Sequence, residues 1–290
     1  MSLAGIVMLV LKLSIVLTIF AIGLEARPED TVYLLRHPRK FAKSLVAMNI
    51  VMPAFVVVLV VLFPALPPVV KVSLAALSVS PVPPFLPNRV IKQGGSEAYV
   101  IGLLAVGALL SIIVAPAVVA LLGLVFGVEA HTNVGKIAFT VTISVLAPLA
   151  AGVAIGQFLP RVADVAARPL GLIAVVLLAA TALAAVVAMW PLMMSLLGEG
   201  SVLAFVAFVA VAVVAGHLLG GPEPEDRTVL AFATASRHPG VAIGIVGANF
   251  ADAKLGTASV VLYLLVSIFA TIPYTFWRKR HDPHLPVPAE

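Results

Sequence analysis

The residues whose side chains are best suited to ligand binding or proton transfer lie together in one apolar stretch. Ala235-Ser-Arg-His-Pro-Gly240 places a guanidinium and an imidazole directly before a proline–glycine pair. A guanidinium binds carboxylate or sulfonate groups through paired hydrogen bonds, and an imidazole exchanges a proton near neutral pH. Polar groups inside a membrane-length stretch are candidates for a functional site, because lipid leaves them unsolvated. The candidate substrate-binding residues of this stretch are Thr234, Ser236, Arg237 and His238.

The composition of the chain indicates the environment in which these residues act. Of 290 residues, 62% are apolar and 11% are charged, whereas a soluble domain has about 45–50% apolar and about 25% charged residues. A soluble fold of this length has too little interior to bury so much apolar surface. The composition therefore predicts an all-α, polytopic membrane protein. The absence of cysteine from the sequence excludes disulfides, thiolate metal sites and thiol catalysis.

Nine segments are long and apolar enough to cross a bilayer, which requires about 20 residues per helix. They cover residues 3–24, 44–65, 68–90, 97–126, 130–158, 169–196, 200–220, 228–250 and 255–277. The connectors between them are too short to form a soluble domain. We therefore expect a single transmembrane domain over residues 1–290.

The distribution of basic residues predicts the orientation, because short cytoplasmic loops are enriched in lysine and arginine. The connectors on one side carry Arg27, Arg36, Arg39, Lys40, Lys43, Arg89, Lys92, Arg161, Arg168, Arg227, Arg278, Lys279 and Arg280. Those on the other side carry only Lys71, Lys136 and Lys254. This bias places the N-terminus outside and the C-terminus in the cytoplasm, in the inner (plasma) membrane of the cell. It also explains the net charge of +5 without a nucleic-acid partner.

The first cytoplasmic connector has the pattern of a short amphipathic helix between residues 27 and 43. Pro28 suits the first turn of a helix, and Glu29 and Asp30 favour its positive N-terminal end. Pro38 ends the pattern. We expect an interfacial helix that anchors the first and second segments.

The third and eighth segments are interrupted. The third contains four prolines within Pro81-Val-Pro-Pro-Phe-Leu-Pro87, and the eighth contains residues 236–240 described above. Prolines remove backbone donors and break helices, and non-helical backbone at membrane depth occurs only where protein or a wet cavity surrounds it. Because the two segments lie five apart, they cross the bilayer in opposite directions. They predict inverted halves over about 3–126 and 169–277, whose discontinuous helices cross at a transport site. Ordinary proline kinks are the alternative.

These features resemble the bile acid:sodium symporter family, including its bacterial sodium-dependent transporter members, over most of the chain. The matching elements are Gly23-Leu-Glu-Ala-Arg-Pro-Glu-Asp30, Leu35-Arg-His-Pro38, Asn49-Ile-Val-Met-Pro53, Ala115-Pro116, Asp226-Arg-Thr-Val-Leu230 and Thr234-Ala-Ser-Arg-His-Pro-Gly240. The resemblance implies panel and core subdomains, with two discontinuous helices crossing near the bilayer midplane. It also implies a symporter-like secondary active transporter that moves a small organic anion by alternating access.

The residues at the positions of the family's sodium ligands depart from its pattern. In this sequence those positions fall on Met48, Leu86, Pro87, Val100, Leu104, Ala233 and Arg237. The resemblance places a glutamine of the family at Arg237 and the asparagine that follows it at His238. It places a Ser-Asn pair of the first crossover at Leu86 and Pro87. Asn88, one residue from that pair, is a fifth candidate substrate-binding residue. Sodium prefers hard oxygen ligands, which these side chains do not offer. The resemblance therefore supports the fold and transport, while sodium coupling is doubtful and no other cofactor or metal is expected.

Arg237 and His238 each have two interpretations. Arg237 replaces the bound cation and attracts an organic anion, or it is a structural arginine that caps helix carbonyls or reaches an interface. His238 couples transport to protons, or it is only a hydrogen-bonding group. We expect His217 to be a satisfied core histidine. We expect Thr140, Thr142 and Ser144 to bond back to their own helix, with lining of the pathway as the alternative.

Two other classes of protein compete with a transporter. An intramembrane enzyme needs paired aspartates, a metal-binding histidine pair or a serine with a base. The sequence contains no His-Glu-x-x-His motif, no aspartate-rich motif and no cysteine. In a receptor or scaffold that does not transport, the paired helix breaks would have no role. We expect a non-enzymatic carrier whose partners are a small organic anion and the lipid bilayer, with proton-coupled or uncoupled transport as alternatives to sodium.

Overall fold

The computed structural model describes residues 3–126 and 131–281, with side chains described from residue 9 onward. Residue 130, the predicted start of the fifth segment, and both ends of the predicted domain lie outside this part of the chain. The described residues form helices and connectors without a strand. They confirm the prediction of an all-α fold.

Helices 1 to 9 are numbered here after the predicted segments. Helix 1 is Leu3–Glu25, and helices 2, 4, 5, 6 and 7 are Pro38–Leu62, Glu97–Phe126, Val134–Phe158, Pro160–Ser195 and Ser201–Leu219. Helix 3 has two halves, 3a (Pro68–Val79) and 3b (Leu86–Ile91). Helix 8 has the halves 8a (Pro224–Ala235) and 8b (Pro239–Asn249), and helix 9 is Ala253–Ala270 followed by Ile272–His281. Helices 2 and 5 contain π-helical turns at Val46–Val51 and Thr142–Leu146.

Two helices begin six or more residues earlier than the sequence predicted. Helix 6 begins at Pro160 rather than at residue 169, and helix 2 begins at Pro38 rather than at residue 44. Each begins with a proline in its first turn, where the missing N–H has no intrahelical partner to lose. The basic side chains that gave these stretches the pattern of connectors, such as Arg161 and Lys43, are exposed on the additional turns.

The connector between helices 1 and 2 is not the single amphipathic helix predicted for residues 27–43. It forms two one-turn helices, Pro28–Thr31 and Tyr33–Arg36, and Pro38 then begins helix 2. The Thr31 hydroxyl donates to the Pro28 carbonyl over 2.7 Å, and this local bond competes with continued helix formation. The connector also packs closely on helix 4, since a Cβ on Gly102 would lie 3.1 Å from the Asp30 carbonyl oxygen.

The lengths and surfaces of the helices suit a bilayer. Seven of the described helices are long and apolar enough to cross a membrane, helix 1 has 23 residues, and helix 3 is apolar but interrupted. Large apolar side chains are exposed on their outer faces; Ile113 is 73% exposed and Leu124 is 82% exposed. Extended apolar surface of this kind is typical of contact with lipid rather than water.

Helices 1, 5 and 6 pack against one another, and the remaining helices pack around helices 3 and 8. Close approach of helices 1 and 5 depends on glycine. A Cβ on Gly152 would lie 2.4 Å from the Phe20 carbonyl oxygen, and one on Gly156 would lie 2.6 Å from that of Leu24. The Gly-x-x-x-Gly spacing in helix 5 therefore lets the two backbones touch.

The interruptions of helices 3 and 8 meet. Helix 3 loses helical geometry after Val79, and helix 8 loses it after Ala235. Between them, the backbone N–H of His238 donates to the Pro81 carbonyl over 2.9 Å. This contact confirms the prediction that two discontinuous helices cross. The division of the chain into inverted halves, 3–126 and 169–277, stays a prediction.

Candidate functional site

Two buried carbonyls face prolines where a helix would supply a backbone donor, one at the first interruption and one in helix 2. In a continuing helix the Ser80 carbonyl would accept from residue 83 or 84, and both are prolines without an N–H. Met48 lies in the π-helical turn of helix 2, where its carbonyl would pair with residue 53, which is also a proline. Ser80 and Met48 are both buried. Their carbonyls therefore need donors from another part of the chain.

Arg237 supplies these donors. Its Nη1 donates to the Ser80 carbonyl over 3.1 Å, and its Nη2 donates to the Met48 carbonyl over 3.2 Å. The side chain is 0% exposed, and its Nε has no hydrogen-bond partner among the described residues. The guanidinium thus joins helices 2, 3 and 8 at the crossing.

The charge of Arg237 is balanced by dipoles rather than by a counter-ion. Within residues 9–126 and 131–281 the one ion pair joins Lys40 and Asp226, so no carboxylate pairs with Arg237 there. Of the two interpretations offered by the sequence, carbonyl capping describes the contacts in this conformation. The positive charge nevertheless remains buried at the crossing, where it favours nearby anions.

His238 caps helix 8b and contacts helix 5. Its Nδ1 accepts from the Val241 N–H over 3.4 Å, and its Nε2 lies 3.2 Å from the Ser144 hydroxyl. Because Nδ1 is an acceptor, the proton lies on Nε2, which donates to Ser144. The Ser144 hydroxyl in turn donates to the Thr140 carbonyl over 2.6 Å, as expected for a serine that bonds back to its own helix. The imidazole is neutral in this arrangement.

The other candidate residues lie around the crossing in different settings. Thr234 is buried, and its hydroxyl donates to the Leu230 carbonyl over 2.7 Å. Ser236 is buried in extended backbone at the end of helix 8a. Asn88 is half-buried on helix 3b, and its amide makes no hydrogen bond to the part of the chain described. Away from the crossing, the His217 Nδ1 lies 3.0 Å from the Tyr274 hydroxyl, as expected for a satisfied histidine.

A cavity lies beside the crossing, between helices 2, 3 and 4 and the connector that precedes helix 2. Its cavity volume is about 30 Å³ in this conformation, within about 410 Å³ of non-protein space that includes open solvent. Its lining is apolar apart from Ser44, Asn49 and Ser111, and no charged side chain of the described chain lines it. Met48 and Pro81 form part of the wall. The Arg237 guanidinium therefore lies behind this wall, bound to the carbonyls of Met48 and of the residue before Pro81.

Asn49 and Tyr263 contribute to this region although the sequence did not identify them as site residues. Asn49 is the one amide or charged side chain between residues 45 and 62, and that isolation was the signal available for it. Tyr263 of helix 9 is fully buried and donates its hydroxyl to the Ala235 carbonyl over 2.7 Å. It thereby satisfies a terminal carbonyl of helix 8a. A single tyrosine in an apolar helix gave no comparable signal.

An ion pair lies next to the cavity lining. Lys40 of helix 2 is 2.5 Å from Asp226 of helix 8a, and the two side chains are 28% and 4% exposed. The Lys40 Nζ also donates to the Tyr33 hydroxyl over 2.7 Å. One turn further along helix 2, the hydroxyls of Ser44 and Tyr99 lie 2.8 Å apart. These contacts join the connector to helices 2, 4 and 8a.

A comparison with protein families agrees with this architecture. A family model described as Sodium Bile acid symporter family matches residues 12–196. The chain belongs to this family. The comparison with curated proteins finds no match for the chain. The matched residues include the cavity and the first interruption, whereas Arg237 and His238 lie beyond them.

Membership of the Sodium Bile acid symporter family has three consequences. The chain is a multi-pass membrane protein, it is a membrane transporter, and its substrate is a small molecule. The family is one of transporters and not of enzymes, which agrees with the interpretation of the sequence. For a transporter of this family, a pair of helix breaks that meet beside a cavity is the natural candidate for the substrate pathway.

Proposed function

We propose that this symporter-family protein is a secondary active transporter that moves a small organic anion across the cytoplasmic membrane by alternating access. The anion has an apolar body and binds in the cavity between helices 2, 3 and 4. Arg237, His238, Ser236, Thr234 and Asn88 form or support the polar end of this site. Asn49 provides an uncharged hydrogen-bonding group within the cavity.

The observation that carries this proposal is the buried charge of Arg237. Carbonyl dipoles, and no described carboxylate, surround the guanidinium. Met48 and Pro81 separate it from the cavity. A unit charge behind an apolar wall acts at a distance, because low-dielectric surroundings screen it weakly. The charge favours an anion in the cavity, and the apolar lining favours an organic one.

The orientation of the chain belongs to the same proposal. We place the N-terminus outside and the C-terminus in the cytoplasm of the inner membrane, on the strength of the lysine and arginine bias. Residues 282–290 lie outside the described chain. In this orientation, Leu34 and Phe41 lie at the cytoplasmic end of the cavity and Pro81 at its deep end. The cavity then serves an inward-facing state.

Sodium is not the driving ion in this proposal. Met48, Ala233 and Arg237 stand at positions where the family resemblance implies oxygen-bearing sodium ligands. The alternative is a proton-coupled or uncoupled organic-anion carrier. The neutral ring of His238 and the engagement of its Nδ1 support anion exchange, in which a second anion drives transport, over proton coupling. A receptor, a scaffold or an intramembrane enzyme is the alternative of another class, and no observation favours it.

Uptake by the purified full-length protein in proteoliposomes tests the proposal. Labelled organic carboxylates and sulfonates are supplied with sodium or choline as the cation, and with or without an imposed pH gradient. We expect saturable uptake of at least one of these anions, at the same rate in sodium and in choline. If none of the anions enters saturably, the protein is not the carrier proposed.

Arg237→Gln and Arg227→Gln form a matched pair of variants for this assay. The Arg227 Nε donates to the Gly221 carbonyl over 2.7 Å, but this residue lies outside the crossing. We expect Arg237→Gln to weaken the apparent affinity for the anion about tenfold or more, since a buried unit charge contributes on the order of 2 kcal/mol at an effective dielectric near 20. Arg227→Gln should retain the affinity. Unchanged affinity and rate in Arg237→Gln would remove Arg237 from the site.

A further inference from the structure

The pocket that holds the Arg237 guanidinium has the ligand chemistry of a small-cation site. Two carbonyl oxygens, from Ser80 of the first interruption and Met48 of helix 2, face the guanidinium. Carbonyl oxygens are hard ligands that replace the hydration shell of monovalent cations. Prolines occupy the positions that would supply N–H groups to these carbonyls, at i+5 of Met48 in the π-helical turn of helix 2 and at i+3 and i+4 of Ser80. Such a pocket requires a cation or a donor.

We propose that Arg237 is a tethered cation, whose guanidinium permanently occupies a carbonyl-lined cation site between helices 2, 3 and 8. This inference deepens the proposed function, on which it rests for the participation of the crossing in transport. A tethered charge stabilises the crossing as a bound ion would, but it cannot dissociate. The site therefore contributes no transported ion to the stoichiometry.

The bonding of the guanidinium supports this role over direct recognition of a carboxylate. A guanidinium that grips a carboxylate uses two parallel N–H groups on one edge. Here both Nη atoms donate to carbonyls of different helices, and Nε has no described partner. The side chain is also fully buried. Each Nη keeps a second N–H, so it is the burial of the side chain that separates Arg237 from direct contact with a carboxylate in this conformation.

Thermal unfolding of the purified full-length protein tests the inference without any substrate. Wild type, Arg237→Ala and Arg227→Ala are heated at constant ionic strength in choline, sodium, potassium or methylguanidinium chloride. We expect the melting temperature of wild type to be the same in sodium, potassium and choline. In choline, Arg237→Ala should melt several degrees lower, because two buried carbonyls lose their donors. Methylguanidinium should restore at least half of that loss, since it occupies the vacated site.

Arg227→Ala is the control variant, and sodium and potassium are the competing cations. Arg227→Ala should gain nothing from methylguanidinium, because its partner carbonyl lies outside the crossing. Recovery of Arg237→Ala by sodium or potassium would also support the inference, because it would show that the vacated site admits a free ion. The inference is wrong if Arg237→Ala is as stable as wild type. It is equally wrong if no cation stabilises Arg237→Ala more than Arg227→Ala, or if sodium selectively stabilises wild type.

A second pair of variants covers the case in which Arg237→Ala does not fold. Arg237→Lys keeps a cation in the site, whereas Arg237→Met fills the space without charge. The inference is supported if Arg237→Lys is obtained as folded protein and Arg237→Met is not. It is overturned if the two variants give the same yield of folded protein. Because these measurements use no anion, they remain valid if every uptake assay of the proposed function fails. Uptake can likewise succeed while the tethered cation is disproved.

Discussion

The backbone N–H of His238 donates to the carbonyl of Pro81 over 2.9 Å, and this bond joins two interruptions of opposite hydrogen-bonding character. Helix 3 contributes acceptors at the crossing, because its prolines have removed the donors. Helix 8 contributes donors, from the His238 backbone and the Arg237 guanidinium. The two breaks therefore satisfy each other within the apolar interior of the bundle.

Replacement of His238 should separate its role as a helix cap from any role in proton coupling. His238→Asn keeps a side-chain acceptor for the Val241 N–H, whereas His238→Ala leaves that N–H unpaired. We expect His238→Ala to lower the free energy of unfolding by about 1–3 kcal/mol and His238→Asn to lower it by less. Thermal unfolding measures the difference. Equal losses in the two variants would contradict the capping role, and a response of wild-type uptake to a pH gradient that His238→Asn lacks would favour proton coupling.

The contact between helices 1 and 5 should be sensitive to a single added methyl group. Gly152→Ala places a Cβ 2.4 Å from the Phe20 carbonyl oxygen, so the helices must separate. We expect a loss of about 1–3 kcal/mol in the free energy of unfolding. Gly244→Ala is the control, because nothing lies within 4 Å of its added Cβ, and alanine favours the helix. The close contact is disproved if both variants unfold at the same temperature.

Replacement of Lys40 and replacement of Asp226 should lower the free energy of unfolding by different amounts. Asp226 is 4% exposed, so Lys40→Met leaves a buried carboxylate without its partner. Lys40 is 28% exposed, so Asp226→Ala lets its ammonium reach water. We expect Lys40→Met to cost about 3 kcal/mol and Asp226→Ala about 1 kcal/mol. Unfolding of the two variants and of the double variant measures the order, and the reverse order would contradict this assignment of burial.

Asn49 should affect substrate affinity more than it affects stability. Asn49 lines the cavity, and its amide makes no hydrogen bond to the described residues. We expect Asn49→Leu to raise the KM for the transported anion about tenfold, which corresponds to the loss of one hydrogen bond worth about 1.4 kcal/mol. The melting temperature should not fall. Ile50→Leu is the control, because Ile50 is 60% exposed on the outer face, and a normal KM in Asn49→Leu would remove Asn49 from the proposed site.

The orientation can be tested directly, because the sequence contains no cysteine. Arg36 and Gly198 lie in exposed connectors at opposite ends of the bundle, so each can be replaced by a single cysteine. In intact cells, a membrane-impermeant maleimide should label Gly198→Cys and not Arg36→Cys, because the basic connectors face the cytoplasm. Permeabilised cells, in which both cysteines should react, provide the control. Labelling of only Arg36→Cys in intact cells would invert the topology.

The sequence by itself determined the membrane class, the helical fold and the positions of the two breaks. These properties follow from local physical chemistry: a run of apolar residues needs lipid, and a cluster of prolines cannot continue a helix. The same local signals misplaced the start of helix 6, because Arg161 and Arg168 gave residues 160–168 the pattern of a connector. They also suggested one helix in the first connector, where packing on Gly102 accompanies two short turns.

Only the tertiary structure decided what Arg237 binds. The sequence indicated that a buried guanidinium needs compensation, but its partners belong to helices 2 and 3, far away along the chain. The cavity likewise combines Asn49 of helix 2, Pro81 of the break in helix 3 and Ser111 of helix 4. The sequence shows that a carbonyl lacks a backbone donor, but it does not show which group donates to that carbonyl. The pairing of Arg237 with Ser80 and Met48 became visible only when packing brought the two breaks together.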